Sequence, residues 1–177
     1  MEDDLAPFAW MADYDERQQW QVKRIGFAIV DYSNVSQQAL CDGAEPEEVA
    51  RRDPATSIAA MAPGPYGGFV AALEEMRGET DDAKLTMMSR AAIVAAYFLA
   101  AHSMPELCRI ESFMKCLCQE ATVILARLIR ASAPGWLPDS VVCDRYLQDR
   151  QTSEAKATVE GELKAMGIPI KEKEGDA

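Results

Sequence analysis

The sequence predicts an all-α fold, a helical bundle centred on a long antiparallel helical hairpin at about residues 82–102 and 105–132. Apolar residues make up 49% of the chain but aromatic residues only 7%, a balance that suits helix packing better than a β-sandwich. Apolar residues also recur every three or four positions through both halves of the hairpin, which is the spacing of one helix face. Short N-terminal helices and a C-terminal helix complete the predicted bundle.

Two apolar stripes define the hairpin. Thr80 or Asp81 is expected to cap the first helix, and Pro105 favours the first position of the second. A turn of two or three residues between two long helices makes them antiparallel. The stripes are Leu85, Met88, Ala92, Ala95, Leu99 and His102 on the first helix, and Leu107, Ile110, Met114, Leu117, Ala121, Ile124 and Leu128 on the second.

Further apolar side chains lie off these stripes, so other helices or a second subunit should cover the hairpin on more than one side. Methionine and aromatic side chains suit such contacts because the former adapt in shape and the latter bury a large area. The predicted interaction residues are Met87, Tyr97, Phe98, Phe113 and Met114.

The remaining chain divides at helix breakers. Residues 1–12 are expected to be flexible or tucked onto the fold, 13–166 to form a single helical domain, and 167–177 to be a disordered tail. The predicted elements outside the hairpin are a helix from about Asp13 to Leu40, short helices that begin at Pro46 and Pro54, a third short helix over Phe69–Met76, and a last helix from Pro138 or Asp139 to about Met166.

Charge is distributed unevenly along the chain. The formal net charge is −11, and residues 1–82 hold 17 Asp and Glu against 6 Lys and Arg, whereas residues 83–132 carry a surplus of three positive charges. A chain this acidic is repelled by phosphate backbones and anionic membranes, so no direct nucleic-acid or membrane partner is expected. The acidic first half instead favours either a solvated surface or a docking face for a basic protein.

The cysteine content and the character of the first residues indicate where in the cell the protein resides. Five cysteines and one histidine offer little material for a zinc site, and they fit reduced thiols in a cytosolic protein. The longest apolar run, residues 91–101, is about half of a membrane span, and the first residues are acidic where a signal peptide is basic. The expected location is the cytoplasm of the producing or host cell, and the Ala- and Arg-rich composition hints at a bacterial or phage source.

One pattern of carboxylates suggests metal chemistry. Glu45 and Glu48, and Glu79 and Asp82, are each one helical turn apart, as carboxylates that share a Mg²⁺ ion require. The pattern is similar to that of MazG-type all-α nucleotide pyrophosphohydrolases. However, Pro46 places the first pair at a helix start and Gly78 places the second in a turn, so no family membership follows. Magnesium is implied only under this alternative.

The expected function is a non-catalytic, self-associating helical module for protein–protein interaction: an adaptor, an inhibitor or an assembly factor. The apolar surplus of the hairpin and the absence of converging polar motifs favour this interpretation, and no catalytic or cofactor-binding residue is assigned. One alternative is a small metal-dependent nucleotide hydrolase that uses the acidic clusters. A second alternative is an acidic nucleic-acid mimic that binds a basic protein surface.

Overall fold

The computed structural model describes residues 3–138, residue 159 and residues 161–167. It is 82% helical and contains no strand in these parts of the chain, which confirms the all-α bundle. In chain order its elements are an N-terminal 3₁₀ helix (Asp3–Asp13), α1 (Glu16–Cys41), α2 (Pro46–Arg51), α3 (Pro54–Ala60), α4 (Pro63–Glu75), α5 (Asp81–Ser103), a second 3₁₀ helix (Pro105–Arg109) and α6 (Glu111–Ser132).

Helix α5 lies at the centre of the bundle, with α1 parallel to it and α6 antiparallel. On one side, Gly26 of α1 faces Ala91 and Val94; on the other, Ala100 packs with Met114 near the start of α6. Helix α4 runs antiparallel to α1. The largest fully buried side chains belong to α1, α4, α6 and the turn after α6: Val22, Ile25, Ile29, Phe69, Leu73, Leu125, Leu128, Ile129, Trp136 and Leu137.

Breaker and capping residues set the helix ends. Helix α1 is capped by Asp15 rather than Asp13, because Asp15 and Gln18 form a reciprocal capping box. It ends before Gly43, whose φ of 93° suits glycine. Pro46 and Pro54 begin α2 and α3 as predicted. Helix α4 also begins at a proline, Pro63, and is therefore longer than the predicted Phe69–Met76 segment.

The hairpin is antiparallel, but its second helix begins at Glu111 and not at Pro105. Residues Pro105–Arg109 form a 3₁₀ helix, and Ile110 is extended at φ −96° and ψ 107°. This break turns Leu107 into the core, where it is 2% exposed. The free energy gained by burying Leu107 thus outweighs that of one continuous α-helix beginning at Pro105.

The buried face of α5 is broader than the predicted stripe. Met88, Ala92 and Ala95 are buried as expected, but Leu85 and His102 at the stripe's two ends are exposed. The explanation is that α5 is covered from several sides, since α1, α6 and the N-terminal segment all pack on it. Other α5 positions are therefore buried as well, namely Met87, Ala91, Val94, Ala96 and Ala100.

Segments near the two ends of the chain are also helical, and the N-terminal one packs on α5. Trp10 of the N-terminal 3₁₀ helix is 6% exposed and its ring lies 5.0 Å from the Arg90 guanidinium. Near the other terminus, residue 159 and residues 161–165 are helical. The rest of the predicted last helix, and the predicted tail beyond Gly167, lie outside the described residues.

One helix among the described residues, Asp81–His102 within α5, is long and apolar enough by length and composition to cross a membrane, with a mean hydropathy of 1.3. Central helices of soluble bundles have the same composition, and α5 packs against both α1 and α6. Its hydropathy therefore assigns no location.

Candidate interaction surface

A close approach of two helices places two aromatic side chains side by side on the described surface. Gly26 lets α1 pack tightly on α5, because a Cβ atom at this position would lie 3.1 Å from Val94 Cγ1 and 3.3 Å from the Ala91 carbonyl oxygen. The next residue, Phe27, consequently reaches Phe98 on α5. Their ring centroids are 5.2 Å apart with an interplanar angle of 85°, the edge-to-face arrangement that aromatic pairs prefer.

This aromatic patch, Phe27 and Phe98, is open to solvent. Phe27 is 38% exposed and Phe98 45% exposed. Single exposed apolar residues are ordinary on protein surfaces, but two aromatic rings contributed by neighbouring helices form a contiguous patch. The surrounding half of α5 is uncharged, since residues 91–105 contain no Asp, Glu, Lys or Arg.

The other predicted interaction residues are more enclosed. Met87 is 5% exposed and Met114 is 6% exposed, so the chain itself covers both side chains. Tyr97 is half-buried and packs edge-to-face on Phe8, with ring centroids 4.9 Å apart. Phe113 is half-buried between two small apolar clusters. Of the predicted set, Phe98 is thus the residue that the described structure leaves most accessible.

Two thiols border Tyr97. Cys108 and Cys118 pack with Tyr97 around Ala96 and Ala100. Burial raises the pKa of the Cys118 thiol to about 11. The pKa of Tyr97 is also raised, first by burial and then by the two neighbouring thiols. Because the thiolate is the nucleophilic form, the raised pKa makes Cys118 less nucleophilic at neutral pH. His102, the single histidine of the chain, is exposed at the end of α5.

Carboxylates collect at the opposite end of α5. The starts of α1 and α5 and the end of α4 meet there, because α1 is parallel to α5 and antiparallel to α4. Arg17 Nε donates to Glu75 Oε2 at 2.9 Å, and Arg77 Nε donates to Glu74 Oε2 at 2.9 Å. We call this surface the acidic end; its exposed carboxylates are Asp13, Asp15, Glu16, Glu74, Glu75, Glu79, Asp81 and Asp82.

An open cleft of about 350 Å³ lies at the acidic end, between α1 and the start of α5. Its floor includes Gln21, which is 5% exposed and whose Nε2 donates to Glu75 Oε2 at 3.2 Å. The hydrogen bond from Arg17 holds the pKa of the Glu75 carboxyl below its usual value. Arg17 and Gln21, which both line the cleft, thus donate to the same Glu75 carboxylate oxygen.

The four candidate metal ligands form two pairs, one at the start of α2 and one at the start of α5. Glu45 and Glu48 flank the start of α2, where Glu48 pairs with Arg52 at 3.2 Å. Glu79 lines the cleft beside α1, and Asp82 lies in the first turn of α5. Across the described residues, no group of three or more His, Cys, Asp and Glu side chains is arranged to hold a metal ion. These four carboxylates therefore form no such group.

The spacing of apolar residues does not predict two parts of this surface, Gly26 and Phe27. Neither Gly26 nor Phe27 belongs to the predicted interaction residues. The signal that the sequence does contain is an isolated glycine inside a helical segment, which often has a packing reason. Compared with protein family models, curated proteins and solved structures, the chain matches none of them.

Proposed function

We propose that the protein is a non-catalytic helical module for protein–protein interaction, an adaptor, inhibitor or assembly factor that associates with a second copy of itself. The observation that carries this proposal is the exposed edge-to-face pair of Phe27 and Phe98. Aromatic side chains are enriched in the buried centres of protein interfaces, where few residues supply most of the binding free energy. The cytoplasm is the proposed location.

The rigidity of the patch favours binding. Gly26 fixes the distance between the two helices, and each ring restricts the rotation of the other. Two aromatic side chains held in this way lose little conformational entropy when a partner covers them, so more of the burial free energy remains as affinity.

The charge pattern favours a second copy as the partner. Two chains of charge −11 repel each other, yet Phe98 of the patch lies in the uncharged half of α5. Phe98 is about 24 Å along the helix axis from Asp82 in the acidic end. The Debye length at physiological salt is about 8 Å, so at this distance the acidic ends are largely screened. Two copies can therefore join patch to patch.

Light scattering on the eluting protein at micromolar concentration tests this proposal. The wild-type chain should elute as a dimer and Phe98→Ser as a monomer, since loss of one central aromatic costs about 2 kcal/mol in each half of a symmetric interface. Leu85→Ser is the matched control, because Leu85 lies on the same helix and is 38% exposed. A wild-type chain that is strictly monomeric would overturn the proposal.

The acidic end supports a second candidate, the binding of a basic protein surface. Its two arginines, Arg17 and Arg77, already pair with Glu75 and Glu74, which leaves a strong negative field from the remaining carboxylates. The two candidates respond oppositely to salt. Salt weakens the binding of a basic partner, whereas it strengthens association between two acidic copies.

A further inference from the structure

The cleft at the acidic end has an apolar floor and a charged rim. Met76 and Met87, which line it, are 2% and 5% exposed, and Ala83 belongs to the same apolar part of the lining. Asp15 and Glu79 line the cleft with carboxylates that are exposed to solvent. A volume of about 350 Å³ is at the small end of the range for ligand sites, so the cleft suits a single long side chain better than a larger molecule.

Gln21 adds an open hydrogen-bond acceptor to this floor. The residue is 5% exposed, and its side-chain Nε2 donates to Glu75 Oε2 at 3.2 Å. No residue among those that the structure describes donates a hydrogen bond to its Oε1. An amide oxygen that lacks a donor from the protein is available to an N–H group of a ligand. The floor therefore favours a ligand that carries hydrogen-bond donors.

The charged groups around the cleft favour a cation. Arg17 also lines the cleft, but its Nε donates to Glu75 Oε2 at 2.9 Å, so these two charges offset each other. The pKa of Arg17 is raised first by this hydrogen bond and further by Asp15 and Glu79, so both carboxylates lie near it. Neither Asp15 nor Glu79 forms an ion pair in the described part of the chain. Two negative charges of the cleft thus remain without a partner cation there.

From this arrangement we propose that the cleft receives one arginine side chain of a basic protein partner. The inference rests on the second candidate function, the binding of a basic protein surface, and names the residue that anchors it. The methylene groups of the arginine lie on Met76 and Met87, since long cationic side chains bury their stems on apolar surface and keep the charged group in a polar environment.

Arginine fits this cleft better than lysine does. Its planar guanidinium presents five donors in a fork, so it has donors for both Gln21 Oε1 and a carboxylate of the rim. The ammonium group of lysine is a more strongly hydrated point charge, and it therefore gains less from a cleft with an apolar floor.

The test compares two fluorescently labelled pentapeptides of equal charge, Lys-Lys-Arg-Lys-Lys and Lys-Lys-Lys-Lys-Lys. Their Kd values are measured by fluorescence anisotropy at an ionic strength of about 0.1 M. Both peptides experience the same field of the acidic end, so the ratio of the two Kd values reports on the arginine alone. The wild-type chain should bind the arginine peptide about fivefold more tightly, which corresponds to about one net hydrogen bond.

Two variants ask whether the cleft causes this difference. Ala83→Met fills the cleft without a change of charge, and Glu79→Gln removes one carboxylate of the rim. In each variant the two peptides should bind equally. The matched controls are Ala71→Met, at an exposed position of α4, and Asp82→Asn, in the first turn of α5; neither residue lines the cleft, and both variants should keep the wild-type ratio. Circular dichroism checks folding, and Glu79→Gln decides the matter if Ala83→Met does not fold.

The remaining outcomes separate this inference from the function on which it rests. If the wild-type chain binds both peptides equally, or if Ala83→Met leaves the ratio unchanged, the acidic end attracts basic proteins without an arginine in the cleft. The inference then fails and the second candidate function stands. If neither peptide binds, both fail. Acetyl-arginine amide is the last probe, and a Kd equal to that of the arginine peptide would indicate a small-molecule site and overturn the assignment to a protein partner.

Discussion

The side chain of Lys84 lies beside the indole ring of Trp136 and bonds to that residue's backbone. Its Nζ donates to the Trp136 carbonyl oxygen at 3.0 Å and lies 5.2 Å from the ring centroid, and Lys84 is only 6% exposed. The indole Nε1 in turn donates to the Leu73 carbonyl oxygen at 2.9 Å. Because Leu73 lies in the last turn of α4, where carbonyls lack intrahelical donors, the indole satisfies one of them. These bonds join α4, α5 and the turn after α6.

Trp136→Phe should therefore lower the free energy of unfolding by about 1–3 kcal/mol, because it leaves the buried Leu73 carbonyl without its donor. At this chain length each kcal/mol lowers Tm by about 2–4 °C. The measurement is thermal unfolding followed by circular dichroism. Trp20→Phe, at a half-buried position, is the control and should shift Tm less. Equal shifts for the two variants would contradict the role assigned to the indole.

Gly26→Ala should destabilise the chain by about 1–3 kcal/mol, because the added Cβ atom would force α1 away from α5. It should also separate the rings of Phe27 and Phe98 and so weaken self-association. Gly67→Ala in α4 is the matched control. That position has nothing within 4 Å of an added Cβ, so alanine should raise stability by about 0.5–1 kcal/mol. Urea denaturation of both variants gives the comparison, and a neutral Gly26→Ala would contradict the close crossing.

The sequence predicted those parts of the fold that depend on local rules. Proline at the first turn of α2 and α3, the break before Gly43 and the two apolar stripes of the hairpin each act within a few residues. Features that depend on distant contacts were not predictable. The burial of Leu107, which splits the second helix, and the bond from Lys84 to Trp136 both require neighbours far away in the chain.

The interaction surface was predictable to a similar extent. The sequence shows that the hairpin carries more apolar residues than its two stripes contain. Spacing alone does not say which of these further residues the chain itself covers. Met87 is buried in the main core and Met114 packs against Ala96 and Ala100 of α5, whereas Phe98 remains exposed beside Phe27. That distinction depends on the close crossing at Gly26 and on how the N-terminal segment packs.

Alkaline pH should destabilise the chain through Cys118. Burial raises its pKa from an ordinary 9.0 to about 11, so the thiol of the unfolded chain ionises first. A raised folded-state pKa contributes stability below the unfolded value, and this contribution is lost as pH rises from about 9 to about 11. Denaturation at several alkaline pH values should show this fall, and Cys118→Ser should reduce the slope. An unchanged slope in the variant would contradict the assignment.

Magnesium distinguishes the interaction module from the hydrolase alternative. Glu45 and Glu48 lie at the start of α2, whereas Glu79 and Asp82 lie at the start of α5, and none of them belongs to a group of three or more candidate ligands, so millimolar Mg²⁺ should leave Tm unchanged. A ligand that binds the folded chain at 100 times its Kd would stabilise it by about 2.7 kcal/mol. The measurement is thermal unfolding with Mg²⁺ and with an excess of chelator. A rise in Tm that Glu79→Gln abolishes would favour the hydrolase.

Sedimentation equilibrium of the wild-type chain over a range of salt concentrations tests self-association through the aromatic patch most directly. Two copies of charge −11 repel each other most at low salt, where the Debye length reaches about 30 Å at roughly 0.01 M, so raising salt from there to the physiological concentration should strengthen a dimer that buries Phe27 and Phe98. We predict a dimer whose Kd falls as salt rises and which Phe98→Ser abolishes. A chain that stays monomeric at every salt concentration, or a dimer that Phe98→Ser leaves intact, would contradict it.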